Sequence, residues 1–258
     1  MDKGSDIPPD IRRELRLLAK RYETAAFLEG DPSSLMHKVD GAETVEATAF
    51  LTAMLSFGNR KQFMEKAERI VFSFASRDTA SWIKNGGFVR EFPSGSKDCF
   101  YRFYTLGDMR EFFEAYRAII CSCGSLGALV KGMKAHTGEE AMKVVCDAFP
   151  VKVVPKYGAS ANKRVAMFLR WMVRDSSPVD LGLWRDFIDK RTLLMPLDTH
   201  VIQQAKRLGL LSGGATASLS TARRLTAKLA EVFPEDPLLA DFALFGYGVN
   251  HKGGSKTR

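Results

Sequence analysis

The sequence is poor in the side chains that most often bind metals. Its 258 residues include four histidines and four cysteines, which are Cys99, Cys121, Cys123 and Cys146. The cysteines are irregularly spaced, and the Cys121-x-Cys123 pair lacks the two-residue spacer and the second pair that are typical of a zinc site. We therefore expect reduced thiols in the protein core, no metal site and no cofactor.

Long apolar runs are missing as well. No stretch reaches the roughly 18 residues that a membrane span needs. The first residues, MDKGSDIPPDIRREL, lack the apolar core of a signal peptide. The sequence therefore predicts a soluble, intracellular protein with no membrane partner.

Acidic residues are outnumbered by basic ones. The chain has 38 lysines and arginines against 30 aspartates and glutamates, which gives a formal net charge of +8. A surplus of this size favours polyanionic partners such as nucleic acids, but a charge that serves only solubility would look the same. Composition leaves both interpretations open.

Apolar residues recur at helical spacing along most of the chain. The pattern predicts helices over residues 8–28, 43–57 and 220–233, and a last apolar helix that Asp236 and Pro237 begin. No alternating strand pattern competes with them and no internal repeat is present. The fold class that we predict is therefore all-α, with roughly nine to eleven helices.

Two capping boxes mark further helix starts, Asp108-x-x-Glu111 and Thr137-x-x-Glu140. Residues 85–105 instead contain Gly86-Gly87 and a Pro-Ser-Gly-Ser run, which predicts a loop. The aromatic and basic side chains of that segment either contact a nucleic acid or hold the loop against the core.

The stretch from Asn162 to Gly209 contains the candidate chemistry. Lys163 lies in the first turn of a predicted helix, where the helix dipole and Arg164 are expected to lower its pKa. Such a lysine can be a nucleophile that forms a Schiff base with an aldehyde-like carbon. The alternative is a solvated lysine at the start of the helix.

Asp198 follows Pro196 and Leu197 at the start of a second predicted helix, where it is a natural N-cap. Capping alone would explain this aspartate. A turn and a short helix over Val179–Ile188 are expected to separate it from Lys163. If the two side chains converge in a cleft, an enzyme is favoured over a plain binding domain.

Four segments resemble the helix-hairpin-helix DNA glycosylase superfamily. Met195-Pro-Leu-Asp-Thr-His-Val201 is similar to its P-V-D-x-H/R-V segment, and Val154-Pro-Lys-Tyr-Gly158 to its L-P-G-V-G hairpin. Lys163-Arg-Val-Ala166 resembles the K-x-A opening of the following helix, and Phe50–Ser56 the helix with the I-L-S-x-Q-T pattern. The order of these segments agrees between residues 45 and 210.

The resemblance implies a single helical domain with two lobes and a helix-hairpin-helix motif. Residues 42–175 would form the central lobe, which ends in the hairpin and the Lys163 helix. Residues 1–41 together with 176–258 would form the second lobe, which carries Asp198. The iron–sulfur cysteines of part of the superfamily are absent after Gly209, so no cluster is expected.

The resemblance also implies a function, which is base-excision repair of double-stranded DNA with a damaged base. Lys163 would attack the anomeric carbon and give the glycosylase an AP-lyase activity. Asp198 would stabilise the oxocarbenium charge and help to deprotonate the lysine. The excised base would be a damaged one, such as an oxidised purine. Aligning the segments on Val165-Ala166 would place Arg164 at the position of the catalytic lysine. Whether Lys163 or Arg164 occupies the nucleophile position therefore stays open.

DNA contacts are implied for a wider set of residues. Phosphates would be held by the hairpin and by nearby basic side chains: Lys156, Tyr157, Gly158, Arg164, Arg170 and His200. His200 is alternatively an exposed residue of a first helical turn. Trp171 and Trp184 would stack on the flipped base, or belong to the core.

The chain as a whole resembles an uncharacterised bacterial family, a domain of unknown function. The matching motifs are Lys163–Arg174, Pro196–Val201 and Asp241–Gly246. This resemblance implies a monomer in the bacterial cytoplasm, associated with the nucleoid. Two other functions stay open, which are a non-catalytic helix-hairpin-helix protein that binds DNA or RNA and a helical protein–protein module.

Overall fold

The computed structural model describes residues 7–250, and it is mostly helical in this range. The prediction of an all-α protein is confirmed. Twelve α-helices lie in the described range: α1 Pro9–Tyr22, α2 Ala42–Leu55, α3 Arg60–Glu68, α4 Thr79–Lys84, α5 Phe88–Glu91, α6 Leu106–Cys123, α7 Leu126–Gly132, α8 Gly138–Ala148, α9 Lys163–Val173, α10 Thr199–Arg207, α11 Leu219–Ala230 and α12 Leu239–Asn250. Residues 1–6, which are part of the N-terminal stretch without an apolar run, and residues 251–258 lie outside the described residues.

Shorter elements connect these helices. Three are 3₁₀ helices, one is a π-helix that continues α3, and two are strands: 3₁₀ Ala25–Leu28, Pro32–Lys38 and Lys190–Thr192, π Arg69–Phe74, β1 Cys99–Tyr101 and β2 Tyr104–Thr105. The strands pair antiparallel as a small hairpin. Both α5 and this hairpin lie in residues 85–105, so the predicted loop contains regular structure.

The largest hydrophobic cluster forms around α2. Every residue of α2 from Glu46 to Leu55 is buried, and the helix packs against α4 and α9. The cluster also takes in α6, α7 and α8, with Phe50 in contact with four other aromatic rings. Because α2 has no solvent-facing stripe over these residues, it is the central helix of this part of the protein.

A second hydrophobic cluster is formed by α1, α10, α11 and α12. Its most extensive contact is between α1 and α12. The segment 176–194, which we assigned to the second lobe, contributes Trp184, Ile188 and Leu193 to the first cluster instead. The two clusters meet along α9 and the segment that leads to α10.

The predicted helix over Val179–Ile188 does not form. The residues are in turns and bends, with only isolated turn bonds among themselves. Three of their amides bond instead to α9, among them Leu181 N–H, which donates to the Trp171 carbonyl at 2.8 Å, and Trp184 N–H, which donates to the Met172 carbonyl at 2.7 Å. These bonds hold the segment against the last turn of α9, so the helical prediction was wrong.

Two predicted caps also differ in the structure. Asp236 does not cap α12, since its carboxylate accepts two hydrogen bonds from the Arg174 Nε–H and one from Nη2, and α12 begins at Leu239. The capping box before α6 is formed by Thr105 and Asp108, three residues earlier than predicted. The predicted box of Thr137 and Glu140 at α8 is confirmed.

The four cysteines are free thiols, as expected. Only Cys146 is buried, whereas Cys99, Cys121 and Cys123 are exposed, so the prediction of core positions was wrong for three of them. In the described range no single helix is long and apolar enough to cross a membrane; α6 and α7 together reach that length and composition but meet at a 61° bend.

Candidate functional site

The side chains of Lys163 and Asp198 meet. Lys163 Nζ lies 2.8 Å from Asp198 Oδ2, and about a third of each side chain is exposed. The two residues begin separate helices, α9 and α10, so the helix starts converge as the sequence suggested. A lysine and an aspartate therefore form an ion pair at a partly open site.

The start of α9 is fixed by Asn162, whose backbone has left-handed dihedrals with φ of 49°. Its side chain is buried and accepts from the Gly158 N–H at 3.1 Å while donating to the Lys156 carbonyl at 2.9 Å. Asparagine tolerates this conformation better than most residues. The loop between α8 and α9 is thereby tied to the residue that precedes Lys163.

Asp198 uses its two oxygens for different tasks. Oδ1 accepts from the Val201 N–H at 2.9 Å and caps α10, while Oδ2 faces Lys163. The predicted N-cap is confirmed, and it does not compete with the ion pair. Burial pushes the pKa of Asp198 up, but the Lys163 charge and hydrogen bond, with the Val201 amide, hold it below the ordinary value, so the carboxylate is ionised at neutral pH.

The ion pair lies in a groove of about 580 Å³. Small-molecule sites commonly have volumes in this range, and the groove combines aromatic with charged side chains. Its aromatic lining residues are Phe27, Phe57, Phe63, Trp171 and Phe245, and its charged or titratable ones besides the pair are Asp31, Arg60, Arg170, His200 and Asp241. We call this space the Lys163 groove.

Arg164 has partners other than Asp198. Its Nη1 donates to the carbonyl of Val153 at 3.1 Å, to the Tyr104 hydroxyl at 2.8 Å and to the Met54 carbonyl, and its guanidinium covers the Phe57 ring. Arg164 therefore links α2 to the loop before α9. Of the two residues left open by the register, it is Lys163 that contacts Asp198.

Arg170 is 4% exposed, and its charge is matched by two carboxylates, Asp180 at 3.2 Å and Asp241. Its guanidinium also covers the Phe242 ring. The sequence-based assignment of Arg170 to phosphate binding is therefore corrected, because a buried arginine paired with two internal carboxylates has no charge left for a phosphate on the surface. It helps to form the wall of the Lys163 groove.

The predicted hairpin residues differ in what they leave exposed. Tyr157 donates its hydroxyl proton to Glu139, which also pairs with Arg223 of α11. The Gly158 amide is bonded to Asn162, whereas the Lys156 side chain is exposed. Lys156 is thus the hairpin residue whose side chain is presented to solvent in this structure.

The remaining predicted residues fall in two places. His200 and Trp171 line the Lys163 groove, with His200 in the first turn of α10 and packed close to Gly248. Trp184 does not line it; this indole is buried in the first cluster and donates to Glu46 at 2.9 Å. The assignment of Trp184 to a base pocket is therefore wrong.

Sequence reasoning missed most of the aromatic lining. Phe27 reaches the groove from the 3₁₀ helix Ala25–Leu28, Phe245 from α12 and Phe57 from the loop after α2. Phe245 belongs to the Asp241–Gly246 motif, and this motif was the one feature of the sequence that indicated the α12 side of the groove. In residues 7–250, no group of three or more histidine, cysteine, aspartate or glutamate side chains is placed to hold a metal ion.

Comparisons with known proteins add the family. The model of a family described as "Protein of unknown function (DUF2400)" matches residues 31–250, which include both helix starts and most of the groove. Searches of curated proteins and of solved structures found no match. Since the match covers most of the chain, the protein belongs to this family of unknown function, DUF2400.

Proposed function

We propose that the protein is a DNA base-excision glycosylase with AP-lyase activity, in which Lys163 is the nucleophile. The observation that carries this proposal is the contact of Lys163 with Asp198 in a groove lined by aromatic rings. An amine beside a carboxylate has the two groups that Schiff-base chemistry needs, a nucleophile and an acceptor for its proton.

The reaction that we propose has four steps. Asp198 accepts a proton from the Lys163 ammonium, and the neutral amine attacks C1′ as the glycosidic bond breaks; the base leaves with the bonding electrons and takes up a proton from solvent. The C1′–O4′ bond then breaks as an N–H proton moves to O4′, which gives a protonated imine between Lys163 and C1′. Solvent accepts a C2′ proton as the C3′–O bond breaks and the 3′ phosphate leaves, and addition of water to the imine frees the lysine. The Asp198 carboxylate also stabilises positive charge on the sugar before attack.

The groove suits a base that has left the stack. Base-flipping enzymes hold the extruded base between aromatic or apolar side chains. Phe57, in the loop after α2, is half-buried and supplies such a surface, whereas Trp171 borders the groove from α9 but is buried in the first cluster. The proposed substrate is therefore double-stranded DNA with a damaged base, such as an oxidised purine. We propose that the protein acts in the bacterial nucleoid.

Features of the fold also support the proposal. The helices α8 and α9 pack against each other and are joined by the loop that resembles the superfamily hairpin. The groove includes residues from both hydrophobic clusters, such as Phe63 from the first and Val201 from the second. We infer a two-lobed glycosylase-like fold with a helix-hairpin-helix motif from this arrangement.

Borohydride trapping tests the proposal. Duplexes with 8-oxoguanine, uracil or an abasic site are incubated with protein and borohydride, and a covalent adduct is expected with at least one of them. The adduct is expected to be lost in Lys163→Gln. Lys190→Gln is the matched control, because Lys190 pairs with Asp175 at 2.6 Å with similar exposure and lies outside the groove.

Arg164→Gln tests whether Lys163 or Arg164 occupies the nucleophile position. We expect it to trap DNA, since Arg164 bonds to Met54 and Val153 rather than to Asp198. Trapping that survives Lys163→Gln but not Arg164→Gln would contradict the assignment of the nucleophile.

A non-catalytic DNA-binding protein is the second candidate, and one observation favours it. The Lys163 ammonium donates to Asp198 in this structure, and an amine held in that form is not nucleophilic. Salt-sensitive DNA binding without an adduct or base release on any lesion would support this candidate and reject the enzyme.

A further inference from the structure

A second cavity, of about 830 Å³, lies at the C-terminal end of α9. Val173, the last residue of α9, lines it, and the helix rises about 15 Å between Lys163 and this residue. In the described part of the chain, no lining residue of this cavity also lines the Lys163 groove. We call this space the Lys131 cavity, after a residue of α7 on its wall, and the proposed glycosylase reaction does not use it.

Main-chain bonds join the walls of the Lys131 cavity. One wall is the end of α7 with the residues that follow it, and another is the segment 185–191. The Asp189 N–H donates to the His136 carbonyl at 3.1 Å. Directly beside the cavity, the Gly138 N–H donates to Thr192 Oγ1 at 2.8 Å. The cavity therefore has a shape that the chain itself fixes, as is usual for small-molecule sites.

The buried part of the lining is apolar. Ala135, Val173 and Ile188 are buried, and the half-buried ring of Phe187 borders the same space. Small-molecule sites commonly combine an apolar lining with a few charged groups, in volumes of about 300–1,000 Å³. The Lys131 cavity thus has the size and the lining for a ligand with a flat apolar part.

Three cations at the cavity lack a strong partner in the protein. Lys131 and Lys134 are exposed and have no ion-pair partner among residues 7–250. Arg185 pairs with its neighbour Asp186 at 3.7 Å, and both side chains are more than half exposed, so this pair contributes little. The other lysine and arginine of the lining are each paired with an aspartate, at 2.6 and 2.8 Å. Lys131 Nζ also lies 5.9 Å from the Phe187 ring centroid, so a cation adjoins the ring.

Lys134 has a backbone conformation that is unfavourable for lysine. Its φ is 56°, in the left-handed region, at the second residue after α7, where glycine is the common choice. The helix dipole favours a cation at this end of α7, but Lys131 in the last turn already supplies one. Helix capping therefore does not account for the second lysine, whereas an anionic ligand in the cavity does.

We propose that the Lys131 cavity binds a nucleoside phosphate. Lys131, Lys134 and Arg185 contact the phosphates, because lysine and arginine donate charge-assisted hydrogen bonds to phosphate oxygens. The base packs against the Phe187 ring, and a carboxylate of the lining, such as Glu235, accepts from a sugar hydroxyl. The site is separate from the Lys163–Asp198 pair, so the inference does not depend on the proposed glycosylase.

Calorimetric titration of the full chain with ADP, pyrophosphate and inorganic phosphate tests the site. ADP is expected to bind more tightly than pyrophosphate, which has no base to pack against Phe187. Lys131→Gln combined with Lys134→Gln is expected to weaken ADP binding by at least about tenfold, because two charge-assisted hydrogen bonds are lost. Phe187→Ala is expected to weaken ADP binding by about tenfold and to leave pyrophosphate binding unchanged, whereas Phe187→Tyr is expected to retain the affinity for both.

Lys38→Gln combined with Lys97→Gln is the matched control, because both lysines are exposed outside the cavity and the groove and the change in net charge is the same. This variant is expected to bind ADP as tightly as the wild type. A loss equal to that of the cavity variant would assign the effect to net charge and reject the site. A wild type that does not bind ADP, or ADP binding that the cavity variants leave unchanged, rejects it as well.

Further titrations locate the nucleotide and identify its source. Lys163→Gln is expected to bind ADP like the wild type; a lost affinity would place ADP in the Lys163 groove and reject the Lys131 cavity. If Phe187→Ala weakens pyrophosphate as much as ADP, the contact with a base is rejected. Displacement of ADP by a short single-stranded oligonucleotide identifies a nucleotide of a strand as the ligand, and ADP that stays bound identifies a free nucleotide; both support the site. ADP binding without a borohydride adduct on any lesion rejects the proposed enzyme and retains the cavity.

Discussion

Asp198 has two roles that substitution can separate. One oxygen caps α10 through Val201, and the other contacts Lys163. Asparagine caps a helix about as well as aspartate but cannot accept a proton from a lysine. Alanine removes both roles, so the pair of variants distinguishes a structural aspartate from a catalytic one.

We expect Asp198→Asn to keep the wild-type free energy of unfolding within about 1 kcal/mol, because an ion pair that is about one-third exposed contributes little and the cap survives. We expect Asp198→Ala to lose about 1 kcal/mol more through the missing cap. Both variants should fail to release a base or form the borohydride adduct. Urea unfolding and trapping measure the two effects.

Asp78→Ala provides the comparison for capping, since Asp78 caps α4 through Ser81 and lies outside the groove. It is expected to lower stability and to leave trapping at the wild-type level. A fully active Asp198→Asn would show that Asp198 is only a cap.

Single residues were predictable where a local signal exists. Pro196 and Asp198 marked a helix start in the sequence, and Lys163 marked another, so both were found before the structure. The true partners of Arg170 were not predictable, because Asp180 and Asp241 come from distant turns and helices. The local sequence predicts a helix cap and a first turn, but it does not predict ion pairs between residues that only tertiary packing brings together.

At the scale of elements, Glu46 joins three parts of the first hydrophobic cluster. It is a buried carboxylate of α2 that accepts from the amides of Leu126 and Gly127 at the start of α7 and from the Trp184 indole. A Cβ at Gly127 would lie 2.8 Å from the carboxylate, so only glycine permits this approach. The contact fixes the segment after α9 against α2.

Glu46→Ala is expected to lower the free energy of unfolding by about 3 kcal/mol or more, because three buried donors lose their acceptor. Glu43→Ala is the control, since Glu43 lies one turn earlier on α2 and is exposed; its effect should stay within about 0.5 kcal/mol. Equal urea midpoints for the two variants would contradict the role of Glu46.

The same carboxyl predicts a dependence on pH. Burial raises the pKa of Glu46, and the hydrogen bonds from Trp184, Gly127 and Leu126 offset this in part. The stability that a raised pKa contributes is fully present below the unfolded-state pKa and is lost as pH rises through the folded-state value. The difference in unfolding free energy between wild type and Glu46→Ala should therefore narrow as the pH rises above the ordinary glutamate pKa of about 4.3. If the difference in unfolding free energy instead increased with pH, the pKa of Glu46 would not be raised in the folded protein.

Elements with strong internal periodicity were predicted well, and those set by tertiary bonds were not. The apolar helix over residues 43–57 corresponds to α2, which spans Ala42–Leu55. The segment Val179–Ile188 was predicted as a helix, but three of its amides bond to the carbonyls of α9. The β1–β2 hairpin was missed, because five strand residues are too few for a pattern of alternation.

At the scale of the whole molecule, two buried arginines connect the two hydrophobic clusters. One lies on α9 and the other directly follows its last residue, and their carboxylate partners come from the residue after α1, the segment after α9, the turn before α12 and α12 itself. The arginines are Arg170 and Arg174, and the partners are Glu23, Asp180, Asp236 and Asp241. Composition gave the net charge of +8 but not this internal placement of charge.

Arg174→Met is expected to lower the free energy of unfolding by about 3–5 kcal/mol, because the buried Asp180 keeps only Arg170 as a partner and the half-buried Asp236 loses its arginine. Lys190→Met removes a half-exposed ion pair and is expected to cost at most about 1 kcal/mol. Urea unfolding followed by tryptophan fluorescence reports the first cluster, since all three tryptophans pack there, whereas far-UV circular dichroism reports the helices of both. Coincident midpoints are expected for the wild type, because the network holds the clusters together. A loss of less than 1 kcal/mol in Arg174→Met would show that the clusters are joined by apolar contact alone.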